Sequence, residues 1–160
     1  MPPSWDDRQW GSAVIAALVV ALTIGVFTPA LSPEWVNWDD PAMFLENPHY
    51  RGLGPRQLVW MFTSFHMGHY MPLTWLTLGW DYAVWEMSPW GYHLSNVLLH
   101  AGTALVFYFL AVRLLRLALG AATAGGLSLR LGAAAAAVFF AAHPLRAESV
   151  AWVTERRDVL

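Results

Sequence analysis

Long charge-free apolar runs alternate along this chain with segments rich in aromatic and ionisable residues. A bilayer core about 30 Å thick requires about 20 apolar helical residues, so windows of that length predict spans. After Arg8 the next charge is Glu34, and Ala13 to Phe27, broken by Thr23 and Gly25, predicts a first span over 13–29 that ends near Thr28-Pro29. The leader MPPSWDDRQW carries two acids and one Arg where a signal peptide would carry a basic region, so it is expected to be retained. A second window runs from Met87 to Val112 with Arg113 and Arg116 beyond it, which places a second span at 93–112. Its His93, Asn96 and His100 are three and four apart, and that face should look into protein. The third region, Leu117 to His143, is Ala-rich and interrupted by Gly125-Gly126 and Arg130. Leu131 to Ala142 alone gives about 18 Å of helix, so the third span is expected over 127–142, with Arg130 snorkelling or the last turns buried in protein.

Between the first two spans, residues 30–92 hold seven of the ten Trp, at 35, 38, 60, 75, 80, 85 and 90. Leu58 to Phe65 and Pro72 to Trp85 repeat apolar positions at helical spacing, with Pro72 suited to a first turn and Asp81 the only charge before Glu86. These read as two juxtamembrane helices lying in the interface around a polar elbow. With three spans, the N-terminus and the 113–130 loop share one side, and residues 30–92 and 143–160 share the other. Arg8, Arg113, Arg116 and Arg130 against Arg51 and Arg56 assign the first side to the cytoplasm, against the pull of Arg146, Arg156 and Arg157. The expected class is therefore all-α, a single domain over 1–160 with polytopic transmembrane helices.

Composition agrees with a membrane class: 57% of the 160 residues are apolar and 12% charged, against about a quarter charged in soluble domains. There are nine Arg, no Lys and a net charge of -2, which supplies no basic field for nucleic acid. The absence of Cys removes disulfides, thiolate nucleophiles and Cys-ligated metals.

Ionisable groups beside apolar helices are costly to keep, and three clusters carry candidate chemistry. Trp38-Asp39-Asp40-Pro41, followed by Asn47-Pro48, offers two carboxylates that could bind a divalent cation or supply a general base; Asp-Asp-Pro is also ordinary turn chemistry. Phe65 to Thr74 holds His66 and His69 three apart, a metal pair if helical and otherwise partners for lipid headgroups or loop carbonyls. His143-Pro144 through Asp158 would align Glu148 with Arg156 if one helix began after Pro144. Arg156 or Arg157 would then either close a salt-bridge network or contact an anionic phosphate.

The order WDD…NP, GHYMPLTWLTLGWDY, GYHLSNVLLH and FFAAHPLRAESVAWVTERRDVL, over Trp38 to Leu160, resembles the membrane portion of the tetratricopeptide-repeat O-mannosyltransferases and their bacterial relatives, polytopic glycosyltransferases of the C type. The resemblance implies transfer of a sugar, mannose in the best-known members, from a polyprenyl-phosphate donor to a protein hydroxyl at the extracytoplasmic face, in a bacterial inner membrane. It makes Asp39 and Asp40 the candidate catalytic residues, one of them the base for the acceptor hydroxyl, and Arg156 the candidate ligand of the donor phosphate. His69, His93, His143, Glu148 and Asp158 are supporting residues. A basic residue often precedes the PLT step in the family, where this chain has Met71. It also implies that the chain is an N-terminal fragment, or a truncated frame or remnant. The alternatives are a non-catalytic membrane module and the same chemistry on a lipid or glycan acceptor. These residues single out no cofactor, and a divalent cation is the one they admit.

Overall fold

The computed structural model describes residues 5–31, 34–119 and 126–160, most of them helical. The stretch 120–125 of the loop expected at 113–130 lies outside the described residues. Six α-helices follow in order: α1 (Trp5–Phe27), α2 (Pro55–Thr63), α3 (Pro72–Trp85), α4 (Pro89–Leu119), α5 (Leu127–Ala142) and α6 (Arg146–Ala151). Short 3-10 turns at Thr28–Ala30 and Val153–Asp158 and a π-helical turn at Pro41–Leu45 complete the described elements. Prolines open α2, α3 and the π turn at a first-turn position where the missing N–H costs nothing. The class is all-α, as expected.

Trp10–Ala30 and Pro89–Leu119 are long and apolar enough to cross a membrane. Both helices run beyond the expected spans. Pro89 starts α4 four residues before 93, and Arg113 and Arg116 continue it to Leu119, because arginine is a good helix former whose long stem reaches away from apolar surroundings. The third helix has the expected bounds, Leu127–Ala142. Its 16 residues give about 24 Å, short of the roughly 30 Å of a hydrocarbon core.

The contacts gather into two compact units, one of residues 5–28 and 98–146, the other of residues 29–97 and 147–160. In the first, α1 packs against α5. Ala133, Ala137 and Ala141 repeat every fourth residue on α5 and are buried in one cluster with Ala16 and Val19 of α1 and Ala104, Tyr108 and Val112 of α4. Small side chains at this spacing let helix backbones approach closely, which is how helices associate where lipid is as apolar as leucine. Thr23 returns its hydroxyl to the Val19 carbonyl at 2.8 Å, so it crosses the apolar helix without an unpaired donor. His100 reaches the Ala141 carbonyl through Nε2 at 3.0 Å, edge-on to Phe27. Val14, Leu18, Leu22 and Val26 form an exposed apolar row along α1, the surface a helix presents to lipid.

The second unit is built on aromatic side chains. Met43, Phe44, Tyr50, Met61, Trp75, Leu78, Tyr92 and Val153 are buried together. The Tyr50 and Tyr92 hydroxyls lie 3.3 Å apart, and Tyr92 donates to the Glu86 carbonyl at 2.9 Å. The elbow between α2 and α3 is a tight hairpin. His66 and His69 exchange both backbone hydrogen bonds, at 3.0 and 2.9 Å, across Met67 and Gly68, whose φ angles of 48° and 80° are left-handed. That pairing replaces the helical spacing on which a shared metal would depend.

Gly79, buried on α3, is where the loop after the π turn passes the helix: a Cβ there would stand 2.8 Å from the Gly52 carbonyl oxygen, 3.0 Å from that of Tyr50 and 2.6 Å from Met61 Cε. Two of these neighbours are backbone and cannot turn aside. Gly79→Ala is therefore expected to destabilise the protein by about 1–3 kcal/mol, the usual cost of overpacking. Thermal unfolding in detergent followed by Trp fluorescence measures it, and a wild-type melting temperature would refute the close approach.

Candidate functional site

Of the candidate residues in the second unit, Asp40 and Arg156 lie in a polar layer linking α3, the first turns of α4, the acidic turn after Leu31 and the C-terminal segment. Its centre is Arg156, which has no solvent exposure. The guanidinium pairs with Asp81 Oδ2 at 2.6 Å, donates through Nε to Asn96 Oδ1 at 2.7 Å and through Nη2 to the Tyr92 carbonyl at 2.9 Å, and reaches Thr77 Oγ1 at 3.5 Å. Asn96 donates to the Val150 and Trp152 carbonyls. Asp81 also accepts the Ser95 hydroxyl at 2.5 Å. Burial pushes the Asp81 carboxyl above its ordinary value, while the Arg156 guanidinium and the Ser95 hydroxyl pull it back. Burial likewise lowers the Arg156 guanidinium and raises the Tyr50 phenol.

Glu148 is exposed and is not the partner of Arg156, which corrects the alignment expected from one continuous helix. α6 ends at Ala151. Trp152 is extended (φ -101°, ψ 117°) and a separate 3-10 turn begins at Val153, so 148 and 156 share no helical face. The break brings the Trp152 indole, Thr154 and Arg156 to partners on other elements. Arg157, by contrast, is exposed and holds Glu155 through Nη2 at 2.8 and 3.0 Å.

The two aspartates occupy different surroundings. Asp40 is completely buried. Its Oδ2 accepts the Val36 N–H at 2.8 Å, and its Oδ1 accepts the Trp152 indole N–H at 3.0 Å and the Thr154 hydroxyl at 2.7 Å. Asp39 is half-buried, its backbone carbonyl accepting from Met43 N–H at 2.9 Å as the π turn begins. Trp38, just before it, is 76% exposed. Arg51 Nη2 donates to the Phe44 and Leu45 carbonyls and so closes the far end of that turn.

Of the supporting residues, His93 is buried and bonds the Glu34 carbonyl through Nε2 at 3.1 Å. His143 caps α5, its Nδ1 accepting the Leu145 N–H at 3.3 Å. His69 and Asp158 are exposed. His66 is half-buried, edge-on to Trp60 and Trp75, with Nε2 3.3 Å from the Ala42 carbonyl. Among the described residues no three His, Asp or Glu side chains gather as a set of metal ligands. His93, Asn96 and His100 are all buried, as their shared helical face predicts. Sequence reasoning assigned no role to Thr77, Tyr92, Trp152 or Thr154. It singled out Asp81 only as a lone charge in an apolar helix, which was the available signal that a buried cation would meet it.

Asp81→Asn leaves a buried guanidinium without its counter-charge, and losing one partner of such a pair costs about 3–5 kcal/mol. Arg156→Lys keeps the charge and loses the Asn96 and Tyr92 bonds made by separate nitrogens. Both variants should melt well below wild type in detergent; unchanged melting would deny the pair its structural weight.

Comparison with known proteins gives a consistent set of relatives. Over 147 residues the chain is 32% identical to the protein O-mannosyl-transferase Tmtc1 of Drosophila melanogaster, covering 87% of this chain and 16% of that protein. Over 153 residues it is 28% identical to the protein O-mannosyl-transferase F38B6.6 of Caenorhabditis elegans, covering 89% and 20%. Over 90 residues it is 34% identical to mouse protein O-mannosyl-transferase TMTC2, covering 56% and 9%. The chain thus spans a fifth or less of the length of these curated relatives. No protein-family model matches it, and no solved structure matches it significantly.

Proposed function

We propose a function for this chain on the premise of its family: it is a membrane protein homologous to the TMTC-family protein O-mannosyl-transferases, and it serves transfer of mannose from a polyprenyl-phosphate donor to a protein hydroxyl. The observation that carries the reading is the meeting of two motifs 114 residues apart, where the Asp40 carboxylate accepts the Thr154 hydroxyl beside the half-exposed Asp39. In this reading Asp39 is the general base. It takes the proton of the acceptor hydroxyl as the oxygen attacks the sugar's anomeric carbon, and the bond from that carbon to the phosphate oxygen breaks. Asp40 is less suited to the task, because three donors already hold its two oxygens. The departing polyprenyl phosphate carries negative charge that a guanidinium can meet bidentately. Arg156 is committed to Asp81, Asn96 and Tyr92, so we assign the phosphate to the 3-10 turn it anchors, with the exposed Arg157 as the group that exchanges Glu155 for the donor. We assign the site to the extracytoplasmic side of a bacterial inner membrane.

Asp39→Asn in the intact protein should lower transfer by about two to four orders of magnitude, the usual worth of general-base catalysis, with expression unchanged. Transfer at the wild-type rate would remove Asp39 as base. Arg157→Gln should raise KM for the donor while the melting temperature stays at wild type, the reverse of the Arg156→Lys outcome.

The assigned side is tested with cysteine reporters in this Cys-free sequence at two exposed positions. Glu46→Cys should react with an impermeant thiol reagent added outside intact cells and Ala118→Cys should not. The opposite labelling would place the site in the cytoplasm.

A further inference from the structure

We propose that Trp152 and Thr154 are positioning residues for the Asp39 carboxylate, acting through Asp40. The proposal rests on the reading of Asp39 as base. A general base works only when its oxygen is held within hydrogen-bond reach of the proton it takes, so a carboxylate on a turn between helices needs its backbone fixed. The acidic turn is fixed from both sides of Asp39. Behind it, the Asp39 carbonyl accepts the Met43 N–H at 2.9 Å. Ahead of it in space, Asp40 Oδ2 returns to the Val36 N–H at 2.8 Å, and the Trp38 N–H donates to the Val36 carbonyl at 2.8 Å, which curls 36–40 into a closed loop. Asp40 Oδ1 tethers that loop to the C-terminal segment, and its two donors are the Trp152 indole N–H and the Thr154 hydroxyl. Among the described residues the Asp39 side chain accepts no hydrogen bond of its own, so its direction follows from the backbone these bonds hold.

The tether is anchored at its other end. Trp152 donates its backbone N–H to the Glu148 carbonyl at 3.0 Å and accepts Asn96 Nδ2 at 3.4 Å, and Asn96 is in turn held by Arg156 Nε at 2.7 Å. Thr154 is buried. The donors are therefore fixed before they meet the carboxylate. Hydrogen bonds to an ionised carboxylate are about twice as strong as neutral ones, which suits two neutral side chains to holding a loop.

The test takes the intact protein in its membrane. Thr154→Val removes the hydroxyl at constant shape and should lower kcat for mannosyl transfer about tenfold, with KM for the donor unchanged; Thr154→Ser restores the bond and should restore kcat. A merely structural Thr154 would move the melting temperature and leave the split between kcat and KM untouched. A second measurement is independent of transfer. The Trp152 indole N–H resonance, identified in detergent by its loss in Trp152→Phe, should exchange slowly with water and speed up about tenfold in Asp40→Asn, whose amide accepts more weakly than a carboxylate. Wild-type kcat in Thr154→Val, with Asp39→Asn inactive, overturns the tether and leaves the base. An active Asp39→Asn beside an impaired Thr154→Val overturns the base and leaves the tether, and indole exchange unaffected by Asp40→Asn overturns the tether outright.

Discussion

A guanidinium with no access to solvent must be neutralised and hydrogen-bonded or the fold around it fails. Arg156 meets that demand with Asp81, Asn96, the Tyr92 carbonyl and Thr77, and in doing so it draws α3, the start of α4 and the C-terminal 3-10 turn into one layer. Those bonds also decide where the chain stops being helical. A helix continued through Trp152 would carry Arg156 away from Asp81, so α6 ends at Ala151 and the backbone extends for one residue. The Trp152 indole and the Thr154 hydroxyl face Asp40 because of that extension. The acidic turn is thus placed by an ion pair to which it contributes no atom.

This arrangement separates neighbouring residues by role. Asp39 and Asp40 are adjacent and chemically identical, yet one is buried against three donors and the other is half-exposed. Arg156 and Arg157 divide in the same way, the first inside with Asp81, the second at the surface with Glu155. In both pairs one side chain fixes the backbone and leaves its neighbour facing outward.

Much of the fold was legible in the sequence because it is governed by local rules. Charge-free windows located α1 and α4, an Ala-rich apolar region located α5, and Pro72 marked the start of α3. The three-and-four spacing of His93, Asn96 and His100 identified a buried face without knowledge of what covers it. The partner of Arg156 was not legible. Helical spacing favours Glu148, eight residues away, whereas Asp81 is 75 positions distant and is chosen by tertiary packing. The same limit applies to the aspartates, since a dipeptide carries no information about which carboxylate a distant indole will reach. His66 and His69 read as a metal pair only on the assumption of a helix, which the left-handed Met67 and Gly68 exclude.

The alanine seam between α1 and α5 sets the two units apart calorimetrically. Apolar helix faces that part in a bilayer exchange one another for lipid chains, so little water is ordered and their separation carries almost no heat-capacity change. The aromatic cluster around Tyr50, Trp75 and Tyr92 exposes apolar rings to water when it opens, and that exposure raises the heat capacity. Cooling therefore weakens the cluster that supports the acidic turn while leaving the seam of Ala133, Ala137 and Ala141 nearly untouched.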